Sequence, residues 1–257
     1  MNNNSTNKNG PQVLIRALQL FDILVGSPGL TVIELCEKLG VTRPTIYTLL
    51  KPLQEYSYVE KDPKSGKYRL GYKFYEYGKY YRHYFSFTPV LEVHAKMLSR
   101  NTGLQSNAGV FVHPANVLII VTADMTNEFR TQPEALMPVY CSSCGKAILA
   151  WKPESELESI LSSIHFFRYT PATILSADQL RQDLSLTRER GYSVESGEFF
   201  SATACIGAPL RKENGDVVAA LSVYGSRDYI LSHEKELAEA VINEAREAER
   251  DMQWSLF

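Results

Sequence analysis

Residues Leu30–Gly71 read LTVIELCEKLGVTRPTIYTLLKPLQEYSYVEKDPKSGKYRLG: two short helical patterns joined by a tight turn, then a hairpin pattern. Leu30, Ile33, Leu35 and Leu39 mark one amphipathic segment. Gly40 ends it, because glycine readily adopts the left-handed conformation that closes a helix. Thr42 is placed to cap the next helix, with Pro44 tolerated in its first turn. Ile46, Leu49, Leu50 and Leu53 recur at helical spacing and give that helix a buried face. Pro52 removes a backbone donor and is expected to kink or shorten the helix there. The opposite face carries Thr42, Arg43, Thr45, Tyr47, Thr48 and Lys51. Short polar and cationic side chains at a helix start suit the major groove, first turns against base edges. Tyr58-Val59 and Tyr68–Leu70 flank the turn Asp62–Gly66, and Lys61, Lys64, Lys67 and Arg69 crowd that hairpin. A cationic hairpin beside such a helix pair predicts a winged helix-turn-helix whose wing touches phosphates. The alternative, a plain helical hairpin with a charged loop, does not account for the basic wing. Arg43, Thr45, Tyr47 and Thr48 are expected to read bases, with Thr42 at the helix start. Lys51, Lys61, Lys64 and Lys67 are expected to hold phosphate.

The remaining composition sets the frame. The chain has 257 residues, 44% hydrophobic and 22% charged, the balance of a soluble globular protein of one large or two ordinary domains. Its net charge of -2 is uneven: residues 1–86 hold 12 Lys+Arg against 7 Asp+Glu, and the remainder is acidic. A basic first third suggests a module for a polyanion, and the acidic remainder a module for something else. Met1–Pro11 lacks the pattern of a signal peptide and no apolar run approaches 18 residues, so the cytoplasm is expected. Four cysteines in this length do not make a disulfide scaffold.

Met1–Gly10 is Asn-rich and reads as a passive, disordered tail. Val13, Leu14, Ala17, Leu18, Phe21 and Leu24 form a helical stripe, the first helix of the DNA-binding module over residues 11–71. Residues 72–86 read as a linker helix. Its aromatic side chains, Tyr72, Phe74, Tyr75, Tyr77, Tyr80, Tyr81, Tyr84 and Phe85, are expected to bury against a partner subunit or the next domain. Residues 87–257 follow as an α+β domain with an antiparallel sheet. A helix is expected over Phe87–Arg100 and strands over Leu104–Val112, Val117–Thr122 and Leu136–Val139. Ser142 or Ser143 caps a helix to Ala150, Pro153–Ile164 is a further helix, and Ala177–Arg190 is amphipathic through Leu180, Leu184 and Leu186. Thr203–Leu210 and Val217–Val223 are strands about the turn Glu213–Asp216, and His233–Arg250 is a charged terminal helix.

Cys141-Ser-Ser-Cys144 has the spacing of a metal half-site or redox pair. Cys205 is available as a third thiolate and His113 or His165 as a fourth ligand. No second such pair exists, no GxSxG or histidine triad frames a nucleophile, and no glycine-rich phosphate loop follows a strand. Neither an enzyme nor a cofactor is expected. Glu195 and Glu198 read as carboxylates of a solvated loop. The small-residue turn Ser142–Ala147 opens a helix, and backbone N–H groups there suit a carboxylate.

Met137–Ala150 (MPVYCSSCGKAILA) resembles the small-residue-GKAILA segment of the IclR family of bacterial transcription regulators. Tyr169–Thr173 (YTPAT), Arg190–Val194 (RGYSV), Cys205–Leu210 (CIGAPL) and Val217–Ser222 (VVAALS) resemble that family's later blocks in order. Val41–Leu50 and Tyr68–Gly71 resemble its N-terminal part. The resemblance implies a winged helix-turn-helix, a linker helix and a GAF-like effector domain. It also implies dimers, often paired into tetramers, on palindromic operators, responding to small organic acids or aromatic metabolites. Carried across by position, the effector-facing residues are Ser143, Cys144, Gly145, Glu195, Cys205 and Ser222. Three departures stand out. Glu195 is longer than the usual Asp, Tyr224 replaces a second Ser and adds an aromatic wall, and Thr48 stands where Arg is common. Paired Cys141 and Cys144 are also unusual, so a redox- or metal-responsive regulator sensing through Cys141, Cys144 and Cys205 is the alternative expectation.

Overall fold

A computed structural model describes residues 11–83, 85–124 and 135–254; the expected tail Met1–Gly10, and Tyr84 of the aromatic segment, lie outside the described residues. The chain divides into two compact units, Met1–Phe85 and Ser86–Phe257.

The first unit runs α1 (Gln12–Val25), α2 (Val32–Leu39), α3 (Arg43–Glu55), β1 (Val59–Lys61), β2 (Tyr68–Leu70) and α4 (Lys73–His83). A reciprocal capping box starts α2. The Thr31 N–H donates to the Glu34 carboxylate at 2.7 Å, and the Glu34 N–H donates to Thr31 Oγ1 at 3.4 Å. Gly40, at φ +63°, closes α2 in the left-handed region. Thr42 holds the N-cap position of α3 but makes no side-chain bond to the helix backbone. Its hydroxyl pairs instead with that of Thr45 at 3.0 Å, which corrects the expected cap. Nor does α3 stop at Pro52. It continues to Glu55, and the Pro52 carbonyl accepts the Tyr56 N–H at 3.0 Å. One missing donor near the helix end is outweighed by Ile46, Leu49 and Leu50, all buried.

The core of this unit is Leu20, Leu24, Leu30, Leu35, Ile46, Leu50, Val59 and Tyr68. Only the C-terminal half of α1 reaches it. Val13, Leu14 and Leu18 of the expected stripe are exposed, as is Ile33, because helical spacing marks a face without saying how far its neighbours extend. Leu30 bridges to Tyr68 in both directions, 2.9 and 2.7 Å, and so adds a rung to the β1–β2 hairpin. At the start of α4, Phe74 packs edge-on against Phe21 (4.9 Å) and Tyr58 (5.7 Å), and the Tyr77 and Tyr58 hydroxyls lie 3.0 Å apart. Phe74 and the Tyr77 hydroxyl therefore make contacts within their own unit, while the Tyr75 and Tyr77 side chains stay exposed.

The second unit runs α5 (Thr88–Thr102), β3 (Gln105–Val112), β4 (Asn116–Ala123), β5 (Leu136–Pro138), a 3-10 turn (Val139–Cys141) and α6 (Ser143–Leu149). It continues through α7 (Glu154–Ser163), α8 (Ala177–Arg190), β6 (Ser193–Ser196), β7 (Thr203–Arg211), β8 (Val217–Ser226), α9 (Arg227–Ser232) and α10 (Glu234–Trp254). Its six strands form one antiparallel sheet in the order β5-β4-β3-β8-β7-β6. The fold is α+β, with helices on both faces of the sheet. On one face α5 and α10 pack together. They are joined through buried His94, whose Nδ1 meets Glu244 at 2.6 Å and whose Nε2 meets Asp251 at 3.1 Å. On the other face lies α6, backed by a core of Val139, Tyr140, Leu149, Leu157, Leu180 and Leu184 that joins it to α7 and α8. The strand β6 and helix α9 were not anticipated; β6 has four residues, three of them polar, and carries no apolar alternation. On α8 the inward position falls to Thr187, and Leu186 is exposed.

Candidate functional site

The helix start and the wing of the first unit share a chemistry. Thr42, Arg43, Tyr47, Thr48 and Lys51 are exposed along α3, and Thr45 is half-buried. The Thr48 hydroxyl donates to the Pro44 carbonyl at 2.9 Å, a local bond that fixes its rotamer. Asp62 organises the wing turn, accepting the N–H groups of Lys64 (2.9 Å) and Ser65 (2.6 Å) and the Ser65 hydroxyl (2.9 Å). Those bonds hold its carboxyl below the ordinary range. Gly66, at φ +70°, completes the turn. Lys61, Lys64 and Lys67 are exposed around it, whereas Arg69 turns onto Glu60 at 3.1 Å. Three lysines on a rigid turn beside an exposed polar helix start can engage a polyanion without first ordering the loop.

In the second unit, α6 sits on the sheet because three glycines let it. A Cβ on Gly109 would lie 2.9 Å from the Cys144 Cβ, one on Gly207 3.0 Å from the Ser143 carbonyl, and one on Gly145 2.5 Å from the Val139 carbonyl oxygen. Beside this contact is a cavity of about 250 Å³. Its floor is two rows of side chains set by strand register. Glu195, Cys205 and Tyr224 face one another across β6, β7 and β8; two residues along, Gly207, Ser222 and Asn107 do the same across β7, β8 and β3. Ser143 and Cys144 enter from α6, and Phe199 and Phe200 from the loop after β6.

Six expected residues, Ser143, Cys144, Glu195, Cys205, Ser222 and Tyr224, line this cavity. Gly145 does not. Its N–H donates to the Ser142 hydroxyl at 3.4 Å, and its missing side chain is what admits the Val139 backbone. Gly145→Ala is therefore expected to cost about 1–3 kcal/mol of stability through overpacking, measurable as a lower urea midpoint. Asn107, Thr203, Phe199, Phe200, Ile119 and Met137 also line the cavity and were not anticipated. The one signal in sequence was an Asn inside an apolar strand. Its carbonyl accepts from Gln105 (2.9 Å) and Thr122 (3.1 Å), which orients the amide.

Glu195 and Glu198 are not solvated; they are 3% and 8% exposed. Burial, then the neighbouring Glu198, push the Glu195 carboxyl up to about 7. Lys146 is fully buried and ion-paired to Glu198 at 2.8 Å and Asp183 at 3.1 Å. Burial works against its charge, yet the two carboxylates hold the ammonium above its ordinary value. The second oxygen of Glu198 finds no hydrogen-bond partner among the described residues. The loop is tied down further by the YTPAT block: Thr170 Oγ1 donates to the Gly197 carbonyl (2.6 Å) and Thr173 Oγ1 to that of Glu198 (2.7 Å).

The thiols point away from the redox or metal alternative. Burial pushes Cys141 and Cys205 up, and Cys144 to about 11, whereas a redox pair needs a depressed value. Cys144 Sγ donates to Ser222 Oγ at 3.3 Å, as a small polar wall would. His113 packs on the Phe111 ring, and no group of three or more metal-ligating side chains occurs among the described residues. No helix among them is long and apolar enough to cross a membrane.

A winged helix-turn-helix joined in one chain to this α+β unit defines a class of DNA-binding transcription regulators. The description "Bacterial transcriptional regulator IclR C-terminal" matches residues 87–250, and "IclR helix-turn-helix domain" matches residues 13–63. The chain is 30% identical to the HTH-type transcriptional regulator XynR of Escherichia coli (strain K12), over 82% of this chain and 85% of that one. It is 28% identical to the glycerol operon regulatory protein of Streptomyces coelicolor, over 94% and 96%. The crystal structure of the Thermotoga maritima IclR superposes with a TM-score of 0.71 at 26% identity, over 93% and 97%. The chain belongs to the IclR family of bacterial transcriptional regulators. Both relatives carry the names of regulatory proteins, the first of them a transcriptional regulator.

Proposed function

We propose that this DNA-binding regulator acts in the cytoplasm on a palindromic operator, and that a small organic acid or aromatic metabolite in the second unit sets its DNA binding or promoter output. The observation that carries the reading is the convergence of six residues, drawn from α6, β6, β7 and β8, on one cavity with polar and aromatic walls. On the DNA side, Arg43, Thr45, Tyr47 and Thr48 read bases, Thr42 contacts DNA beside them at the helix start, and Lys51, Lys61, Lys64 and Lys67 hold phosphate. A homodimer, or a pair of dimers, presents two such modules to two half-sites. A metabolite that binds one conformation of the effector unit better than another shifts the population and with it the spacing of the modules.

The experiment is a selection of random duplex DNA with the purified protein at two salt concentrations, followed by release of the recovered duplex with metabolite fractions. A palindromic motif that survives the higher salt, and is released by a fraction, is the expected result. Binding without any motif that vanishes as salt rises would leave only phosphate contact. An operator that no fraction releases, with promoter output equally indifferent, would remove effector control.

A further inference from the structure

The cavity has neutral donors in Asn107 and Ser222 and aromatic walls in Phe199, Phe200 and Tyr224, but none of its described lining residues is Lys, Arg or His. The acidic group in it is the buried Glu195 carboxyl. One oxygen of that carboxyl is already used, since Oε1 accepts the backbone N–H groups of Glu198 (2.5 Å) and Phe199 (3.1 Å). The nearby Lys146 ammonium is held by Glu198 and Asp183. Among the described residues, a small acid entering as its anion therefore meets a carboxyl and no cation. Two like charges at one desolvated site disfavour each other strongly, so one of the pair takes a proton.

Resting on the reading of this cavity as the effector site, we propose that it binds a carboxylate anion together with one solvent-derived proton, held on Glu195, so that a neutral carboxyl donates a hydrogen bond to the ligand. The groups packed around Glu195 set the direction. Glu198 on the same loop opposes a further negative charge, and Lys146 on α6, itself paired with Asp183 on α8, favours one. Cys205 on β7, Tyr224 on β8 and Cys141 before α6 are each pushed towards their neutral forms, first by burial. Glu195 itself, raised to about 7, is part-protonated at neutral pH before any ligand arrives. Because an anion favours the acid form, affinity falls as pH rises through that value. A ligand that offered a hydroxyl or amide donor would favour the carboxylate and bind more tightly as pH rises. The sign of the pH dependence thus reports the class of ligand.

The test is calorimetric titration of the full chain at pH 6, 7 and 8, in two buffers of different ionisation heat. The probes are acetate, lactate, gluconate, benzoate and 4-hydroxybenzoate, each alongside its amide. The expected result is a carboxylate that binds roughly tenfold more tightly at pH 6 than at pH 8, with proton uptake approaching one at pH 8, and an amide that does not follow. Glu195→Gln keeps an acceptor for the two loop N–H groups and offers a permanent donor to the cavity. It is expected to bind the same carboxylate with a level affinity across this range. Four results would overturn the proposal: no carboxylate of the panel bound at pH 6, a wild-type affinity that is flat or rises with pH, preference for the amide, or a slope that persists in Glu195→Gln. Operator release is read separately. A ligand that releases DNA with the opposite pH slope removes this inference and leaves effector control standing. A carboxylate with the expected slope that leaves DNA binding and promoter output unchanged removes effector control instead.

Discussion

Lys146→Ala is expected to destabilise the second unit by about 3–5 kcal/mol, the cost of breaking a buried ion pair from one side. The ammonium is fully buried and is the partner of two carboxylates on different elements, Glu198 after β6 and Asp183 on α8. Glu198 already leaves one oxygen without a hydrogen-bond partner among the described residues, so losing the cation adds to an existing deficit. Both tryptophans, Trp151 and Trp254, belong to this unit, so urea unfolding followed by intrinsic fluorescence reports on it directly. The loss has a pH signature. Without Lys146, the Glu195 and Glu198 carboxyls, already pushed up by burial, resist ionisation more strongly in the folded chain than in the unfolded one. The folded state then binds more protons, and stability falls as pH rises above the ordinary carboxylate range. Part of the deficit at pH 7 should therefore return at pH 5. An Ala variant that unfolds within about 1 kcal/mol of the parent at pH 7 would mean that Glu198 and Asp183 are not depending on this lysine.

On the DNA side, Arg43→Ala is expected to relax preference at one base position by roughly 1–3 kcal/mol while leaving affinity for random duplex nearly unchanged. Lys64→Ala is expected to weaken operator and random DNA alike, and to reduce the slope of log affinity against log salt by about one. The contrast follows from placement. Arg43 is exposed in the first turn of α3, whereas Lys64 is on the tip of a wing turn fixed by Asp62. Competition binding at two salt concentrations separates the two effects. Equal losses on operator and random duplex for Arg43→Ala would move that residue from base readout to phosphate contact.

Much of the architecture was legible in local chemistry. Gly40 marked the end of α2 because a left-handed cap favours glycine, and Gly191 ended α8 in the same way. Ala177–Arg190 kept its bounds because a capping serine and a glycine frame it. Asn214-Gly215 marked the turn between β7 and β8, with Gly215 at φ +87°. The errors arose where a residue's fate depends on distant partners. Val13, Leu14 and Leu18 share a stripe with the buried Leu24, and spacing alone could not tell which would be covered. Phe74 was read with the other aromatics, but only the position of Phe21 and Tyr58 decides that it turns inward.

The candidate site divides along the same line. The polar helix start and the lysine-bearing wing were visible in order, because each is a local pattern with a fixed period or turn. The residues around the cavity were brought forward by resemblance to a family, one position at a time, and Gly145 among them proved to be a packing position. Thr203, Phe199 and Phe200 carry no local signal that places them on that wall, and Asn107 carries only that of a polar residue inside an apolar strand. By itself the sequence determined a DNA-binding helix pair with a basic wing, followed by an α+β unit, since periodicity, capping and turn chemistry act over a few residues. Only the tertiary structure decided that Glu195 and Glu198 are buried and that Lys146 is spent on Glu198 and Asp183. The physical reason is register. Antiparallel pairing sets Glu195 opposite Cys205 and Cys205 opposite Tyr224, bringing together side chains up to 29 positions apart, and burial then changes the chemistry of each.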